Sequence, residues 1–427
     1  MIKREILKEI AIEQNYATLK LKIKNEVKRE KLTEIKKLLK LPHAVIISGI
    51  RRSGKSTLLR QVRRDFYSED GYYFNFEDER LINFDVQDFN LLYEVLIEIF
   101  GKKKVFFFDE IQNIKGWERF VRRMQDEGFK FFITGSNASL LSRELGTKLT
   151  GRHVSFTLYP FSFKEFLAYH QYDFKKDNLF ITKERALIRG FLENYLKEGG
   201  MPEFLAEKNP QILKNVYTDI IYRDVAVRYG INDIKALREL SLYLSTNISG
   251  LFSYNSLKKL LGLGSLNTVK SYIEYLENSF LFFTLNIFSY SLKKQTNNPK
   301  KSYIIDAGIA NFVASRFSRD RGKFFENLVF LELKRQDREI FYYKTKSNFE
   351  VDFVVNNRKK PVSLIQVCCD LKGDKTKNRE ERALLEAMAE LNIKEAFIIN
   401  DNTDEIKTIS KKRIKYIPLY KWILLNS

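Results

Sequence analysis

Cysteine is almost absent: Cys368 and Cys369 are the only two, and they are neighbours in the chain. Adjacent thiols cannot staple distant segments, which excludes a disulfide framework and points to a reducing compartment. Histidine is nearly as scarce. His43, His153 and His170 show none of the spacings that hold a metal, so they read as structural. Long apolar runs are missing too; the most apolar stretch, 280–288, is far shorter than the roughly 20 residues that cross a bilayer. The N-terminus is charged where a secretory signal would be apolar. Neither an internal repeat nor a long low-complexity segment is visible. These absences lead us to expect a soluble, cytoplasmic protein without a membrane segment.

What is plentiful is apolar and basic. With 44% hydrophobic residues, among them 35 Phe and 22 Tyr, the chain can bury aromatic-rich cores. Its 427 residues exceed one ordinary domain and imply two or three. The formal charge of +20 favours polyanions, nucleic acid first among them. A solvated Lys/Glu surface, as heat-adapted proteins carry, accounts for the same charge.

The most informative stretch is AVIISGIRRSGKSTLL, residues 44–59. Four apolar residues read as a buried strand, Ser48-Gly49 breaks it, and a helix opens at Lys55. Between them stands G-x-x-x-x-G-K-S, with Gly49, Gly54, Lys55 and Ser56 in register. Glycines let successive backbone N–H groups face one anion, and the helix N-terminus adds its partial positive charge. The pattern predicts a nucleoside triphosphate cradled by Gly49, Ile50, Arg51, Arg52, Ser53, Gly54, Lys55, Ser56 and Thr57. In it Lys55 reaches the β/γ-phosphates and Ser56 ligates Mg²⁺.

Strands and helices alternate from 44 to about 160, with further strands expected at 72–76, 105–108, 131–134 and 154–158. Such βα units predict a parallel sheet sandwiched by helices, with ligands outside the carboxyl ends of the strands. The third strand runs into Asp109 and Glu110. There Asp109 is placed to hold Mg²⁺ opposite Ser56, and Glu110 to activate water. Ser136 and Asn137 close the fourth strand, where either side chain can sense the γ-phosphate or position water. Arg152, just before the fifth strand, is a candidate to complete a neighbouring subunit's site as an arginine finger. Arg51 and Arg52 add positive potential within the loop.

Residues 1–40 form a basic segment, helical by pattern and best read as packed on a core. Residues 166–235 read as a helical lid or linker. A winged helix is expected at 236–315. Leu257, Leu260 and Leu261 lie on one of its helices; Val269, Tyr272, Ile273 and Leu276 form the inward face of the next. Residues 316–427 read as a further α/β unit, with strands near 340–343, 351–355, 364–367 and 396–399.

GIRRSGKSTLL, FFFDEIQN, the TGSN strand end and LTGRHVSFTLYPFSFKEFL together resemble the archaeal and bacterial AAA+-related P-loop ATPases of the ASCE type. The resemblance spans nearly the whole chain and implies a P-loop core at 41–165, then a winged helix, then a restriction-endonuclease-like domain. It implies ATP rather than GTP, since no guanine-reading N-K-x-D motif occurs. It also implies homo-oligomers, a dimer or a hexameric ring, and work near nucleic acid, DNA more than RNA. In active nucleases of that C-terminal type, a helix Glu, a strand-end Asp and a Glu/Gln-x-Lys pair converge. Glu326, Asp352 and Gln366 match, but Cys368 holds the lysine position, and Lys344 or Lys346 is a poor substitute. A thiol cannot stabilise the transition state as an ammonium does, so this unit reads as a structural or DNA-docking remnant. The leading expectation is a Mg²⁺-dependent ATPase coupled to nucleic acid; an ATP-dependent nuclease and an ATP-liganded DNA-binding regulator are the alternatives.

Overall fold

The computed structural model describes residues 2–20, 25–68, 70–138, 149, 151–314, 321–357, 360–371 and 373–426. The domain boundary expected at 315/316, residues 21–24 of the basic segment and Thr150 of the LTGRH motif lie outside the described residues. The chain divides into two compact units, Met1–Pro160 with Asn278–Phe280, and Phe161–Glu277 with Leu281–Ser427.

The first unit is built on five parallel strands: β1 (Ala44–Ser48), β2 (Tyr72–Asn75), β3 (Val105–Asp109), β4 (Lys130–Gly135) and β5 (His153–Thr157), in the order β2-β3-β4-β1-β5. Period-two alternation splits their side chains between two cores. Phe106, Phe108, Phe131 and Ile133 face one side, with Phe120 and Met124; Phe107, Phe132, Val45 and Ile47 face the other, with Leu58, Leu59 and Val62. The register pairs Phe106 with Phe131 and Phe107 with Phe132, so their rings stack, at centroid distances of 4.9 Å and 5.2 Å. One phenylalanine ladder thus fixes the register of the two central strands on both faces.

Among the described residues this unit has the α-helices α1 (Arg4–Lys20), α2 (Lys31–Leu38), α3 (Lys55–Tyr67), α4 (Phe89–Phe100) and α5 (Trp117–Asp126). The basic N-terminal segment is a covering helix. Leu7, Ile10 and Ala11 of α1 are buried in the core, and Arg4 bonds Glu94 and Glu98 of α4.

The second unit opens with α6 (Phe163–Tyr169), α7 (Thr182–Glu198), α8 (Pro202–Glu207), α9 (Pro210–Asp219), a π-helical turn (Ile220–Val227) and α10 (Ile234–Thr246). Next come β6 (Leu251–Phe252), α11 (Tyr254–Leu260), α12 (Leu266–Asn278), β7 (Phe282–Leu285), α13 (Leu292–Asn297) and β8 (Lys300–Ile304), with the strands in the antiparallel order β6-β8-β7. Val269, Tyr272, Ile273 and Leu276 are buried as expected. Leu257 and Leu260 lie on α11 as expected and Leu261 is its C-cap; Leu257 is buried and Leu260 is 60% exposed.

The chain continues through α14 (Ala307–Ala314), α15 (Arg321–Arg335), β9 (Glu339–Lys344), β10 (Glu350–Asn357), β11 (Lys360–Val367), α16 (Asp374–Glu390), β12 (Glu395–Asn400), β13 (Glu405–Ile409), β14 (Lys412–Pro418) and α17 (Leu419–Asn426). Its six-stranded mixed sheet has the order β13-β14-β12-β11-β10-β9. β13 and β14 were not expected; β13 is a charged, exposed edge strand, whereas β14 lies inside the sheet and buries Ile414 and Tyr416. Among the described residues no helix is long and apolar enough to cross a membrane.

Phe106→Ala removes a fully buried ring from the ladder and should destabilise the first unit by about 3–5 kcal/mol. Urea unfolding followed by tryptophan fluorescence checks this.

Candidate functional site

β1 ends at Ser48, whose carbonyl oxygen accepts from Leu158 N at 2.6 Å. The chain therefore crosses the end of β5 so closely that a Cβ on Gly49 would lie 2.2 Å from Leu158 O. Only glycine fits there. Gly54, at φ +94°, caps α3 in a left-handed conformation. Ile50 and Ser53 are buried, Arg52 is exposed, and Ser56 and Thr57 are half-buried in the first turn of α3. Lys55, only 4% exposed, folds back under the loop and donates to Ile50 O at 3.1 Å. Arg51 pairs with Glu77, beyond the end of β2, at 3.1 Å.

A further buried cation, not anticipated from sequence, fastens this loop. Arg29 donates from Nη1 to Ser53 O at 2.8 Å and from Nη2 to Tyr159 O at 2.7 Å. Nothing in the sequence distinguishes it, since it is one of many cations in a basic segment.

The carboxylates stand at the end of β3. Thr134 of β4 joins them: its hydroxyl accepts from Glu110 N at 3.1 Å and donates to Asp109 Oδ1. Tyr73 OH donates to Asp109 Oδ2 at 3.1 Å. Burial, and then the neighbouring Glu110, push the Asp109 carboxyl above its usual range. Burial acts the same way on Glu110, but Lys55, Gln112 and Arg51 outweigh it and hold Glu110 below the usual range. Glu110 Oε1 lies 3.5 Å from Lys55 Nζ, and Glu110 Oε2 accepts from Gln112 Nε2 at 2.5 Å. Gln112 Nε2 also reaches Ser136 Oγ at 3.3 Å. Because β4 lies between β3 and β1, Ser136 and Asn137 emerge between the carboxylates and the glycine loop, both buried.

Arg152 is placed elsewhere. It precedes β5 at the end of the sheet where β1 begins, is exposed, and forms an ion pair with Asp126. Within its own chain it lies at the opposite end of the strands from Lys55.

In the second unit, Glu326 and Asp352 meet around a cation the sequence reading missed, and Gln366 stands behind Asp352. Lys301 of β8, with its side chain 2% exposed, places Nζ 2.9 Å from Glu326, 2.8 Å from Glu350 and 2.8 Å from Asp352. Tyr303 OH donates to Glu326 at 2.7 Å. Gln366 accepts from Asp352 N at 3.3 Å and donates to Glu380 at 2.8 Å. The ammonium comes from Lys301 rather than from Lys344 or Lys346, across a chain separation no local spacing reveals. Among the described residues no group of three or more metal-ligating side chains is arranged to hold a metal ion. The three N–H donors of Lys301 take the place where a cation would meet these carboxylates.

A strand, a glycine loop closing on a helix, and an Asp-Glu pair two strands away on a parallel 2-3-4-1-5 sheet have the arrangement of a P-loop fold. Residues 42–167 match the family model described as AAA domain. Residues 189–320 and 321–422 match models described as domains of unknown function (DUF8612 and DUF4143). The chain belongs to the family of the uncharacterized protein MJ1544 of Methanocaldococcus jannaschii, to which it is 38% identical over 396 residues, covering 89% of this chain and 88% of that one. An uncharacterized protein of Haemophilus influenzae is 33% identical over 323 residues, covering 72% of this chain and 78% of the relative. Among solved structures, Aeropyrum pernix Orc1 in complex with DNA aligns with 70% of this chain and 96% of its own, at 12% identity and a TM-score of 0.31. That likeness is too slight to bear on function.

Two outcomes follow for the second unit. Lys301→Met leaves three carboxylates around an apolar tip and should cost about 3–5 kcal/mol in urea unfolding. Burial, with Asp352 next, pushes Glu326 from 4.5 up to about 7. The folded state therefore holds a proton that the unfolded chain releases, and stability falls as pH rises from 4.5 to 7. Thermal melts of Glu326→Gln across that range should lose this slope relative to wild type.

Proposed function

We propose that the protein is a Mg²⁺-dependent ATPase whose nucleotide cycle is coupled to DNA, or less favourably RNA, in a homo-oligomer. The observation that carries the reading is the contact of Lys55, at the start of α3 after β1, with Glu110 beside Asp109 at the carboxyl end of β3. A buried ammonium held by one carbonyl and one carboxylate, at 3.1 Å and 3.5 Å, is placed to exchange those partners for phosphate oxygens. That exchange frees Glu110 to take a proton from water. The residues present also suit a divalent ion: Ser56 and Asp109 offer hard oxygen donors, and Asp109 and Glu110 carry two charges against the one of Lys55. Bound there, Mg²⁺ would neutralise charge developing on the phosphates. Asn137 stands at the neighbouring strand end as a γ-phosphate sensor, and Arg152 is available only to a neighbouring subunit's site. The absence of an N-K-x-D motif favours ATP.

The nucleic-acid half of the reading rests on charge and on element order. Helix, strand, two helices and a hairpin, from α10 to β8, follow winged-helix order. Lys259 and Lys270 are exposed on it, with Lys270 over the Tyr254 ring at 5.6 Å. We read the C-terminal unit as a docking and structural module rather than a nuclease, because Lys301 saturates its carboxylates in a buried centre.

The test is ATP hydrolysis by wild type and Glu110→Gln, each with and without single- and double-stranded DNA. We expect DNA to stimulate turnover, and Glu110→Gln to lower it by about 100-fold or more while ATP still binds. DNA binding should fall steeply between 50 and 200 mM salt, less so in Lys258→Ala/Lys259→Ala/Lys270→Ala. Turnover indifferent to DNA, or salt-insensitive binding, would overturn the coupling. ATP binding without turnover would make the protein a liganded switch.

A further inference from the structure

Gln112 was absent from the sequence-based site, and its surroundings give it a role. Glu110 adopts a left-handed φ of +52°, which turns the chain off β3 into one 3₁₀ turn, Ile111–Asn113. A residue other than glycine in that conformation is strained. The turn brings Gln112 back over Glu110. Its Nε2 bridges Glu110 Oε2 at 2.5 Å and Ser136 Oγ at 3.3 Å, tying the ends of β3 and β4 together. Its Oε1 is fully buried and has no hydrogen-bond partner among the described residues. A buried acceptor without a donor costs about 1–3 kcal/mol. Native proteins retain such groups where a partner arrives in another state of the molecule.

We propose that Gln112 positions the attacking water for ATP hydrolysis; the inference rests on the ATPase reading above. A water beside Glu110 has two hydrogens to place. One goes to the Glu110 carboxylate, and the orphaned Oε1 of Gln112 accepts the other. The lone pair of the water oxygen then points away from both acceptors, towards the ends of β1 and β4 where Lys55 and Ser136 mark the γ-phosphate. In the step itself the water oxygen bonds to the γ-phosphorus, its proton passes to Glu110, and the bond to the bridging β–γ oxygen breaks to release ADP. Gln112 gains and loses no proton. Its Nε2 holds the Glu110 carboxylate in place, and its Oε1 fixes the orientation of the water.

The experiment compares wild type with Gln112→Met, Gln112→Asn and Gln112→Glu, reading steady-state kcat and KM and the dissociation constant of a fluorescent ATP analogue. Gln112→Met keeps the volume and loses both hydrogen bonds. It should lower kcat 10- to 100-fold and leave the dissociation constant within about threefold. Gln112→Glu keeps an acceptor but sets a second carboxylate against Glu110. It should lower kcat as well while the dissociation constant stays within about threefold, a split that a merely structural residue would not produce. Gln112→Asn, with the same amide on a shorter stem, should fall between Met and wild type. Wild-type kcat in Gln112→Met, or a loss confined to KM and binding, overturns the role of Gln112 while leaving the ATPase reading intact. A wild-type protein that binds ATP but never hydrolyses it, with Mg²⁺ and DNA present, overturns both.

Discussion

The Lys55 ammonium is buried almost completely, and the arrangement of the first unit can be traced to what that charge requires. An isolated cation out of water costs several kcal/mol, so it must have partners. Backbone supplies one in Ile50 O, and Glu110 supplies the other across two strand boundaries. The second contact exists only if β4 lies between β1 and β3 in register, which the stacked Phe106/Phe131 and Phe107/Phe132 rings enforce. Asp109 then finds itself beside Glu110 in a dry site and is pushed towards its neutral form. The centre carries more negative charge than Lys55 can balance, which is a condition that suits a divalent ion and a phosphate chain together.

The second unit holds another buried lysine, and the contrast is instructive. Lys301 has three carboxylates within 2.9 Å, one for each of its N–H donors. Lys55 has looser contacts, one of them to a loop carbonyl. An ammonium whose donors are all matched to carboxylates has no reason to leave them, whereas one held by a carbonyl and a single carboxylate can trade both for phosphate oxygens. Similar burial therefore yields a fully matched ammonium in one unit and a loosely held one in the other.

Segments that look peripheral in the chain shape the glycine loop. Arg29 lies two residues before α2, yet it pins both the glycine loop and the turn after β5. The crossing of Gly49 by Leu158 makes the end of β5 a wall of the same loop. Loop, N-terminal segment and the end of β5 are thus tied together by the Arg29 side chain on two backbone carbonyls and by the Leu158 N–Ser48 O bond.

Local chemistry was enough for much of this. Glycine spacing, a strand of four apolar residues before Asp109-Glu110, and period-two phenylalanines each act over a few residues, so the loop, the five strands and the acidic pair could be read directly. The same holds for the inward face of α12 and for four of the six strands in the C-terminal sheet. β13 was missed because a charged, exposed edge strand has no buried face to impose a pattern, and β14 because its inward Ile414 and Tyr416 alternate with basic and isoleucine positions in a strongly basic stretch. Lys301 among Glu326, Glu350 and Asp352, Arg29 on Ser53 O, and Gln112 between Glu110 and Ser136 were decided only by the tertiary structure. Burial and pairing arise when distant strands meet, and a lysine, an arginine or a glutamine in the sequence carries no mark of whether water or a carboxylate will surround it.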